Sequence, residues 1–313
     1  MINGIINVYK EKGFTSHDVV AKLRGILKQK KIGHTGTLDP DAEGVLPVCL
    51  GKATRVCDLL ADKDKEYETT LLLGKTTDTQ DISGTVLEEL QVSCTEEEIK
   101  EIICGFVGTY SQIPPMYSAL KVNGKKLCDL ARAGVEVERK PREVKIYSIE
   151  ILGMDIPRVK MRVHCSKGTY IRTLCHDIGR QAGCGGCMES LLRTRVADFK
   201  VRDAWRLSEI EAQALSVRDN HADRELARED FPDIVYNTDS VFMQYPAVMV
   251  KEEFSRLLYN GSPLAPHWMI GWKEQYKEHT LRVYDRNQAF IGIYRWNCAR
   301  GDIRPVKIFM ESN

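Results

Sequence analysis

The sequence lacks long apolar runs and a strong net charge. No segment approaches the roughly 18 consecutive apolar residues that a membrane-spanning helix needs, so we expect no membrane association. The first ten residues have no basic segment followed by an apolar stretch, and we therefore expect no secretory signal. With 45 Lys and Arg against 44 Asp and Glu, the formal net charge is +1. This balance excludes a uniformly basic nucleic-acid binder.

Motifs for common cofactors are also missing. Gly51-Lys52 is followed by Ala53 rather than by Ser or Thr, and Gly44 is wrongly spaced for a phosphate-binding P-loop. No GxGxxG motif follows a predicted strand, and serine-hydrolase and HExxH motifs are absent. The residues therefore predict chemistry without a nucleotide cofactor.

Ten cysteines are scattered along the 313 residues, which favours reduced thiols over a disulfide scaffold. Cys184 and Cys187 form a short C-x-x-C pair near Cys175 and His176. A structural zinc site needs four ligands, usually from two such pairs. A thioredoxin-like motif would need a preceding strand and a helix that opens at the pair. We therefore expect no metal, and we interpret these cysteines as thiols in a glycine-rich turn.

Charge is distributed unevenly along the chain. Residues 1–55 carry nine Lys and Arg against five Asp and Glu, and residues 160–206 carry ten against four. Residues 211–240 reverse the balance, with three Arg and eight Asp and Glu. Such asymmetry is typical of a protein with one face for an anionic partner, although on composition alone solvated surfaces are the simpler explanation.

Strand and helix patterns alternate without a regular βαβ period, which favours an α+β fold with a mixed sheet. Alternating and β-rich patterns predict strands at Gly4–Val8, Glu66–Leu73, Val144–Leu152, Val159–His164 and Asp198–Val201. Helical patterns predict helices at Ser16–Leu27, Thr95–Cys104, Leu127–Ala133, Tyr170–Ala182 and Met188–Arg193. The Ser16 and Thr95 hydroxyls are candidate helix caps, and Thr95 with Glu98 fits a capping box.

A second, smaller unit is predicted after the acidic stretch. Short β-like runs follow at Ala247–Val250, Thr280–Tyr284 and Ala289–Tyr294, with turn-forming residues between them. This spacing is typical of a small β-rich module. We therefore predict a main domain over residues 1–238 and a C-terminal domain over residues 239–313.

The segment from Lys30 to Pro47 is the strongest functional candidate. It contains three glycines, two prolines, one His and three carboxylates. Pro40 restricts the backbone of Asp39 to extended conformations before any tertiary contact forms. The alternative is a structural turn whose carboxylates cap helices. The residues alone predict a carboxylate-centred site beside basic side chains.

The run from Gly33 to Thr54, which overlaps this segment, resembles the signature of the bacterial tRNA pseudouridine-55 synthases, the TruB family. Other motifs occur around it in the family's order: Asn7–Lys10 with Gly13–His17, Lys65–Glu68, Thr77–Asp81, Gln112–Lys121, Ser166–Arg172 and Leu191–Arg195. The resemblance extends from the start of the chain to about residue 206. It is weaker beyond that point.

This resemblance implies a pseudouridine-synthase-like catalytic domain, with a mixed β-sheet and flanking helices, and a PUA-like C-terminal domain. It also implies isomerisation of uridine to pseudouridine at position 55 in the TΨC loop of tRNA, with the base flipped out of its stack. The reaction detaches uracil from ribose, turns the base and rejoins it through C5. Since this needs no redox step and no external group donor, we expect neither metal nor organic cofactor.

By resemblance, Asp39 is the nucleophile, a role that carboxylates fill in glycoside chemistry. Asp41 and Glu43 do not match the family's Asp, and we interpret them as structural. Tyr170 resembles the tyrosine proposed to help remove the C5 proton, which requires tuning or a relay because a free phenol has a pKa near ~10. Arg172 resembles the arginine paired with the catalytic Asp, and we expect it to lower the pKa of Asp39.

Three further residues resemble substrate-binding positions of the family. Tyr67 is expected to stack on the flipped uracil, and His34 to fill the space that the nucleotide leaves. Leu191 is expected to line the uracil pocket. Lys10 resembles a family lysine, but the family usually has Pro at the next position, where this sequence has Glu11. The role of Lys10 therefore stays open.

The expected partner is the T-arm stem-loop of tRNA, bound in the cytoplasm by a monomer without an obligatory protein partner. Phosphate contacts would offset the cost of base flipping, and we predict them collectively from Lys28, Lys30, Lys31, Lys125, Lys126, Arg139 and Lys140. One alternative is an RNA-folding factor of the same fold with secondary or lost catalysis. Another is the guide-RNA-dependent branch of the fold, for which we find no basic tail or long N-terminal extension.

Overall fold

The computed structural model describes residues 1–220 and 224–310 of the chain. Within them the backbone forms a ten-stranded sheet, a five-stranded sheet, two two-stranded sheets and seven α-helices. The expected α+β class with a large mixed sheet is therefore confirmed. No helix in this described part is both long enough and apolar enough to cross a membrane.

The strands up to residue 236 are β1 (Gly4–Lys10), β2 (Ile32–His34), β3 (Glu43–Leu50), β4 (Lys65–Leu73), β5 (Lys75–Thr77), β6 (Val86–Glu89), β7 (Gly108–Gln112), β8 (Lys121–Val122), β9 (Lys125–Lys126), β10 (Arg142–Asp155), β11 (Arg158–Cys165), β12 (Gly186–Val196), β13 (Phe199–Lys200) and β14 (Val235–Tyr236). The remaining strands are β15 (Ala247–Val250), β16 (Met269–Ile270), β17 (Thr280–Tyr284), β18 (Phe290–Asn297) and β19 (Asp302–Ile308). The α-helices are α1 (Ser16–Leu27), α2 (Cys57–Ala61), α3 (Glu96–Gly105), α4 (Leu127–Arg132), α5 (Ile171–Gln181), α6 (Leu207–Asn220) and α7 (Ser255–Tyr259).

The large sheet has the order β14-β1-β3-β12-β4-β11-β10-β7, with β2 added to β3 and β13 added to β12. Its paired strands are antiparallel except at its centre, where β12 runs parallel to β3. This junction pairs Arg193 with Gly44 and Leu192 with Glu43. Strand β12, from the second half of the chain, is thereby placed beside the start of β3, the strand that follows Asp39 in the sequence.

Two apolar layers hold the helices on the large sheet. Helices α1 and α6 pack against β1 and β3 through buried residues such as Leu23, Ile210 and Val48. Helices α3 and α5 pack against β4, β10 and β11 through a second cluster that includes Ile103 and Leu174. Burial of such aliphatic side chains is the main favourable contribution to folding.

The five-stranded sheet has the order β16-β15-β17-β18-β19 and its own buried cluster. A separate cluster joins it to the large sheet, because Phe242, Ile293 and Phe309 pack with Ile5 and Val45. The last strand of the large sheet ends at residue 236, and the first strand of the second sheet begins at residue 247. The boundary at residue 238 and the PUA-like character of the second unit stay predictions, and residues 311–313 of that unit lie outside the described residues.

One predicted helix is wrong. Met188–Arg193 lies within strand β12, because this segment is hydrogen-bonded between β4 and β3 at the centre of the sheet. A short apolar run fits a helix or a strand equally well by periodicity, and tertiary pairing decides between them.

The helix caps follow the sequence in one case and differ in the other. Thr95 caps α3 and forms the predicted capping box with Glu98. Helix α1 is capped by Thr15 rather than by Ser16, and Thr15 forms a capping box with Asp18. The Ser16 hydroxyl instead accepts a hydrogen bond from the Leu38 backbone N–H at 2.9 Å. Ser16 therefore anchors the residue before Asp39.

We predict that Gly44→Ala destabilises the fold by about 2–4 kcal/mol, because the substitution combines backbone strain with overpacking. Gly44 has φ +104°, and a Cβ there would lie 2.3 Å from the Arg193 carbonyl oxygen. Chemical denaturation measures the change. Gly25→Ala is the control, since a Cβ at this helical glycine meets nothing within 4 Å and should stabilise by up to about 1 kcal/mol. Equal stability of the Gly44 variant and the wild type would contradict the close approach of β3 and β12.

Candidate active site

The loop that carries Asp39 is shorter than the predicted segment. Residues 32–34 belong to β2 and residues 43–50 to β3, so only residues 35–42 form the connection. The Leu38 and Ala42 side chains on either side of Asp39 are buried, whereas Asp41 is exposed. The buried side chains fix the loop on the protein surface with Asp39 between them.

Asp39 forms a two-point ion pair with Arg172. Arg172 Nε lies 2.9 Å from Asp39 Oδ2, and Arg172 Nη2 donates to Asp39 Oδ1 at 3.3 Å. The Arg172 side chain is 5% exposed and the Asp39 side chain 39% exposed. A bidentate pair fixes both the position and the rotation of a carboxylate. Arg172 is therefore a buried anchor, and the carboxylate remains open to a ligand.

The same guanidinium gathers two further loops. Its Nη1 donates to the Thr79 carbonyl oxygen at 2.9 Å, and its Nη2 donates to the Tyr117 carbonyl oxygen at 2.7 Å. Asp81 lies 3.5 Å from Nη1 and accepts a hydrogen bond from the Thr79 hydroxyl at 2.7 Å. Since the buried charge has partners on every side, its desolvation is compensated.

The pKa of Asp39 differs in direction from the sequence-based expectation. Burial raises the pKa of this carboxyl, and Asp81 adds to the effect, whereas Arg172 and Lys10 lower it. The expected influence of Arg172 is present, but desolvation is larger. A carboxylate with a raised pKa is a stronger base and nucleophile when it is ionised.

Tyr170 stands at the N-terminal end of α5, two residues before Arg172. The Gln112 side chain is buried and holds the Tyr170 backbone from both sides, accepting from its N–H at 2.8 Å and donating to its carbonyl at 3.0 Å. Burial raises the pKa of the Tyr170 phenol, while the Ser118 hydroxyl and Arg172 oppose that rise. The phenol is therefore protonated at neutral pH, and proton removal by Tyr170 would need a relay.

Tyr67 is buried in β4 and lies opposite Arg193 of β12. Burial raises the pKa of Tyr67 to about 12, and the Arg193 guanidinium donates to its phenolic oxygen. Arg193 is 1% exposed and also donates to the Val45, Thr37 and Gly36 carbonyls, at 2.7, 3.3 and 3.5 Å. Arg193 thus connects the Tyr67 ring to both ends of the Asp39 loop.

Lys10 is a second buried cation beneath this loop. Its Nζ donates to the carbonyl oxygens of Ala42 at 2.5 Å, Pro40 at 3.0 Å and Glu11 at 3.3 Å. Burial lowers the pKa of Lys10 to about 8, and the carboxylate of Asp39 opposes this effect. The Glu11 side chain, at the position where the family usually has Pro, pairs with Arg206 at 2.6 Å. Lys10 therefore supports the backbone on either side of Asp41.

The remaining predicted site residues are Leu191 and His34. Leu191 of β12 is half-buried and packs on the cluster that contains Tyr67 and Leu38. His34 stands at the end of β2, where its Nδ1 accepts from the Gly36 N–H at 3.4 Å. His34 faces a cavity of about 490 Å³ beside α1, and burial lowers its pKa. The structure therefore joins Asp39, Arg172, Tyr170, Tyr67 and Leu191, and it places His34 at the edge.

The C-x-x-C pair makes no contact with Asp39 or Arg172 among the described hydrogen bonds and ion pairs. Cys184 and Cys187 are both buried, and all ten cysteines have free thiols. Within residues 1–220 and 224–310, no group of three or more His, Cys, Asp or Glu side chains is arranged to hold a metal ion.

Sequence reasoning missed Arg193 and Gln112 as site residues. Both lie in motifs that resemble the family, but one belongs to a segment predicted as a helix and the other to a proline-rich run. Fully buried polar side chains cannot be recognised from sequence, because burial depends on the pairing of distant strands. Their position inside family-like motifs was the only available signal.

The arrangement supplies a fixed, partly exposed carboxylate beside a buried aromatic ring, an apolar side chain and a protonated phenol. Such a set can attack or stabilise an electron-poor carbon while a planar ring lies against Tyr67 and Leu191. This set of side chains meets the requirements of chemistry at a glycosidic bond, in which a carboxylate acts at the sugar carbon.

Comparison with known proteins agrees with this chemistry. A family model described as TruB family pseudouridylate synthase (N terminal domain) matches residues 24–171, and one described as tRNA pseudouridylate synthase B C-terminal domain matches residues 172–231. The tRNA pseudouridine synthase B of Lachnoclostridium phytofermentans is 51% identical, over 99% of this chain and 100% of that protein. The corresponding protein of Clostridium acetobutylicum is 43% identical, over 93% of this chain and 95% of that protein.

Solved structures show the same likeness. The pseudouridine synthase fold is shared with a chain in a Cbf5–Nop10–Gar1 complex, at a TM-score of 0.71 and 28% identity over 99% of this chain and 85% of that one. A chain of an H/ACA RNP bound to a substrate RNA matches with a TM-score of 0.70 and 26% identity, over 99% of this chain and 86% of that one. The fold and the site thus define a pseudouridine synthase. Within that class, the chain belongs to the TruB family.

We predict that Arg172→Lys lowers the turnover rate about 10²-fold, because one ammonium group cannot hold both Asp39 oxygens and both loop carbonyls. The acid limb of the pH–rate profile should also move to higher pH. We expect activity to be lost as pH falls through the pKa of Asp39, which burial already raises. Removal of the bidentate partner should raise this pKa further. Rate against pH measures the shift. Arg180→Lys, on the exposed side of α5, is the control, and an unmoved acid limb in Arg172→Lys would contradict the ion-pair role.

Proposed function

We propose that this TruB-family enzyme isomerises uridine to pseudouridine at position 55 in the TΨC loop of tRNA. Asp39 is the nucleophile in this proposal. The observation that carries it is the two-point pairing of a partly exposed Asp39 with a buried Arg172. Arg172 orients the carboxylate and favours its ionised form against the effect of burial. Tyr67 and Leu191 form an apolar wall of the proposed pocket.

The flipped uracil lies against Tyr67, and Leu191 completes its pocket. Stacking suits this role, since any base offers a π-face, and the ring of Tyr67 is fixed by its hydrogen bond from Arg193. Tyr170 contacts the base with a protonated phenol, and the C5 proton leaves through a relay that includes this hydroxyl. His34 fills the space that the nucleotide leaves in the RNA. As a neutral side chain it occupies this space without charge.

The RNA partner is the T-arm stem-loop, bound by a monomer in the cytoplasm without an obligatory protein partner. Support comes from exposed lysines on the side of the Asp39 loop, among them Lys28, Lys30 and Lys31. Lys125 and Lys126 are exposed on a separate hairpin, and Lys140 is exposed as well. The free thiols suit a reducing compartment. The C-terminal five-stranded sheet, of PUA-like character in this proposal, extends the RNA footprint.

Release of tritium from C5-labelled uridine in a T-arm RNA measures the reaction directly. We expect Asp39→Asn to lower the rate by at least about 10⁴-fold, the scale seen when a nucleophile is removed. Asp41→Asn is the matched control, because Asp41 makes the same loop but is exposed, and it should keep the wild-type rate.

Three outcomes separate the possible functions. Equal release by wild type and Asp39→Asn removes Asp39 from the nucleophilic role. No release by wild type, with tight T-arm binding retained, favours an RNA-folding factor of the same fold. Loss of activity in Asp41→Asn as well as Asp39→Asn would show that the loop, rather than one carboxylate, is needed.

We also predict that T-arm affinity falls as salt concentration rises, since phosphate contacts release counterions. Lys31→Ala should lower the slope of log affinity against log salt by about 0.7–1, the value for one lost phosphate contact. Lys100→Ala on α3 is the control, because Lys100 is exposed but pairs with Glu96. Filter binding at several salt concentrations gives the slopes. Identical slopes for Lys31→Ala and wild type would place the RNA elsewhere.

A further inference from the structure

We infer that Cys49 and Cys57 form a reversible disulfide by exchange with an anionic small-molecule disulfide that enters the cavity beside His34. This inference concerns thiol chemistry and does not rest on the reaction proposed above. It starts from a pair of cysteines on β3 and α2 that the described active site does not use.

The first observation is the position of the two sulfur atoms. In the β2–β3 pair, Gly33 lies directly opposite Cys49. A Cβ added to Gly33 would lie 3.3 Å from Cys57 Sγ, so the Cys57 sulfur occupies the space that a side chain at Gly33 would take. Directly opposed residues of an antiparallel pair have Cβ atoms about 4.5–5.5 Å apart. The missing side chain of Gly33 therefore allows the Cys57 sulfur to lie beside Cys49.

The two cysteines also pack in one apolar cluster, with Cys49 buried in it and Cys57 at its edge. Cys49 lowers the pKa of Cys57, and Cys57 raises that of Cys49. Lys307 favours the Cys57 thiolate as well, while Asp58 and burial oppose it. The thiolate is the reactive form of cysteine, and Cys57 is therefore the attacking sulfur of the pair.

Access is restricted to one of the two residues. Cys49 is fully buried, whereas Cys57 is half-buried and lines the cavity of about 490 Å³. Five basic or imidazole side chains line this cavity: His17, Arg24, Lys30, Lys31 and His34. Among the described residues that line it, none is acidic. The cavity therefore favours a reagent that carries carboxylates.

The exchange proceeds in two balanced steps. The Cys57 thiolate attacks one sulfur of the small disulfide, whose S–S bond breaks, and one small thiolate leaves. Cys49 then gives its proton to a leaving thiolate and attacks the Cys57 sulfur, and the second small thiol is released. Two cysteine thiols are oxidised to one disulfide, and the small disulfide is reduced to two thiols. Closure then forms an S–S bond of about 2.05 Å between two residues of the same packed cluster.

The experiment treats the reduced full-length protein with oxidised glutathione, blocks remaining thiols with N-ethylmaleimide and digests with trypsin. Cleavage after Lys and Arg places Cys49 alone in peptide 32–52 and Cys57 alone in peptide 56–63. Mass spectrometry should find these two peptides joined by a disulfide, and dithiothreitol should separate them. Cys49→Ser should stop at a glutathione adduct on Cys57, and Cys57→Ser should leave Cys49 free to be alkylated after denaturation.

Two results would overturn the inference. A stable glutathione adduct on wild-type Cys57, with Cys49 alkylated, would show that the pair does not close. An unmodified Cys57 at times when exposed Cys298 has reacted would show that the cavity does not admit the reagent. Charge selectivity is tested with cystamine, a cationic disulfide. For each reagent, the reaction rate of Cys57 is divided by that of Cys298. At low salt we expect this ratio to be about tenfold higher for oxidised glutathione than for cystamine. Equal ratios for the two reagents would refute the basic-cavity argument.

Discussion

The ion pair between Asp39 and Arg172 is the contact on which the rest of the site depends. Two residues 133 positions apart meet there, one on a loop between β2 and β3 and the other in the first turn of α5. Because the guanidinium is nearly fully buried, it has to satisfy its remaining donors with the Thr79 and Tyr117 carbonyls. One side chain therefore determines the relative positions of three loops, and the carboxylate is oriented as a result of that arrangement.

Beneath the loop, the protein uses buried cations in an unusual way. Arg193 and Lys10 are both almost fully buried, and their described hydrogen-bond acceptors are backbone carbonyls and a phenol rather than carboxylates. Carbonyl dipoles compensate part of the desolvation cost without adding negative charge near Asp39. The loop is thereby held from below, and Lys10 also favours the ionised form of Asp39. This arrangement explains why Lys10 retains a role although Glu11 follows it.

The α+β class and most helices and strands could be predicted from the sequence, because they depend on local periodicity. The family could be predicted because its motifs occur along this chain in the family's order. The sequence was insufficient wherever tertiary pairing decides. Met188–Arg193 became a strand because it lies between β3 and β4. The pKa of Asp39 is raised because burial outweighs Arg172, and burial was not visible from the chain. Gln112 and Arg193 act through contacts with residues far away in sequence, which no local pattern predicts.

The central position of β12 has a consequence for synthesis of the chain. Strand β3 is made early, yet its parallel neighbour β12 follows only after residue 185. At a translation rate of about 5–20 residues per second, the Glu43–Gly44 end of β3, which pairs with β12, therefore waits about 7–27 seconds for its partner. Until then the Asp39 loop lacks Arg193, and its ion-pair partner Arg172 is made only shortly before. During synthesis, Asp39 is therefore present long before the two arginines that hold its loop and its carboxylate, so the geometry of this loop is completed only after most of the chain has been made.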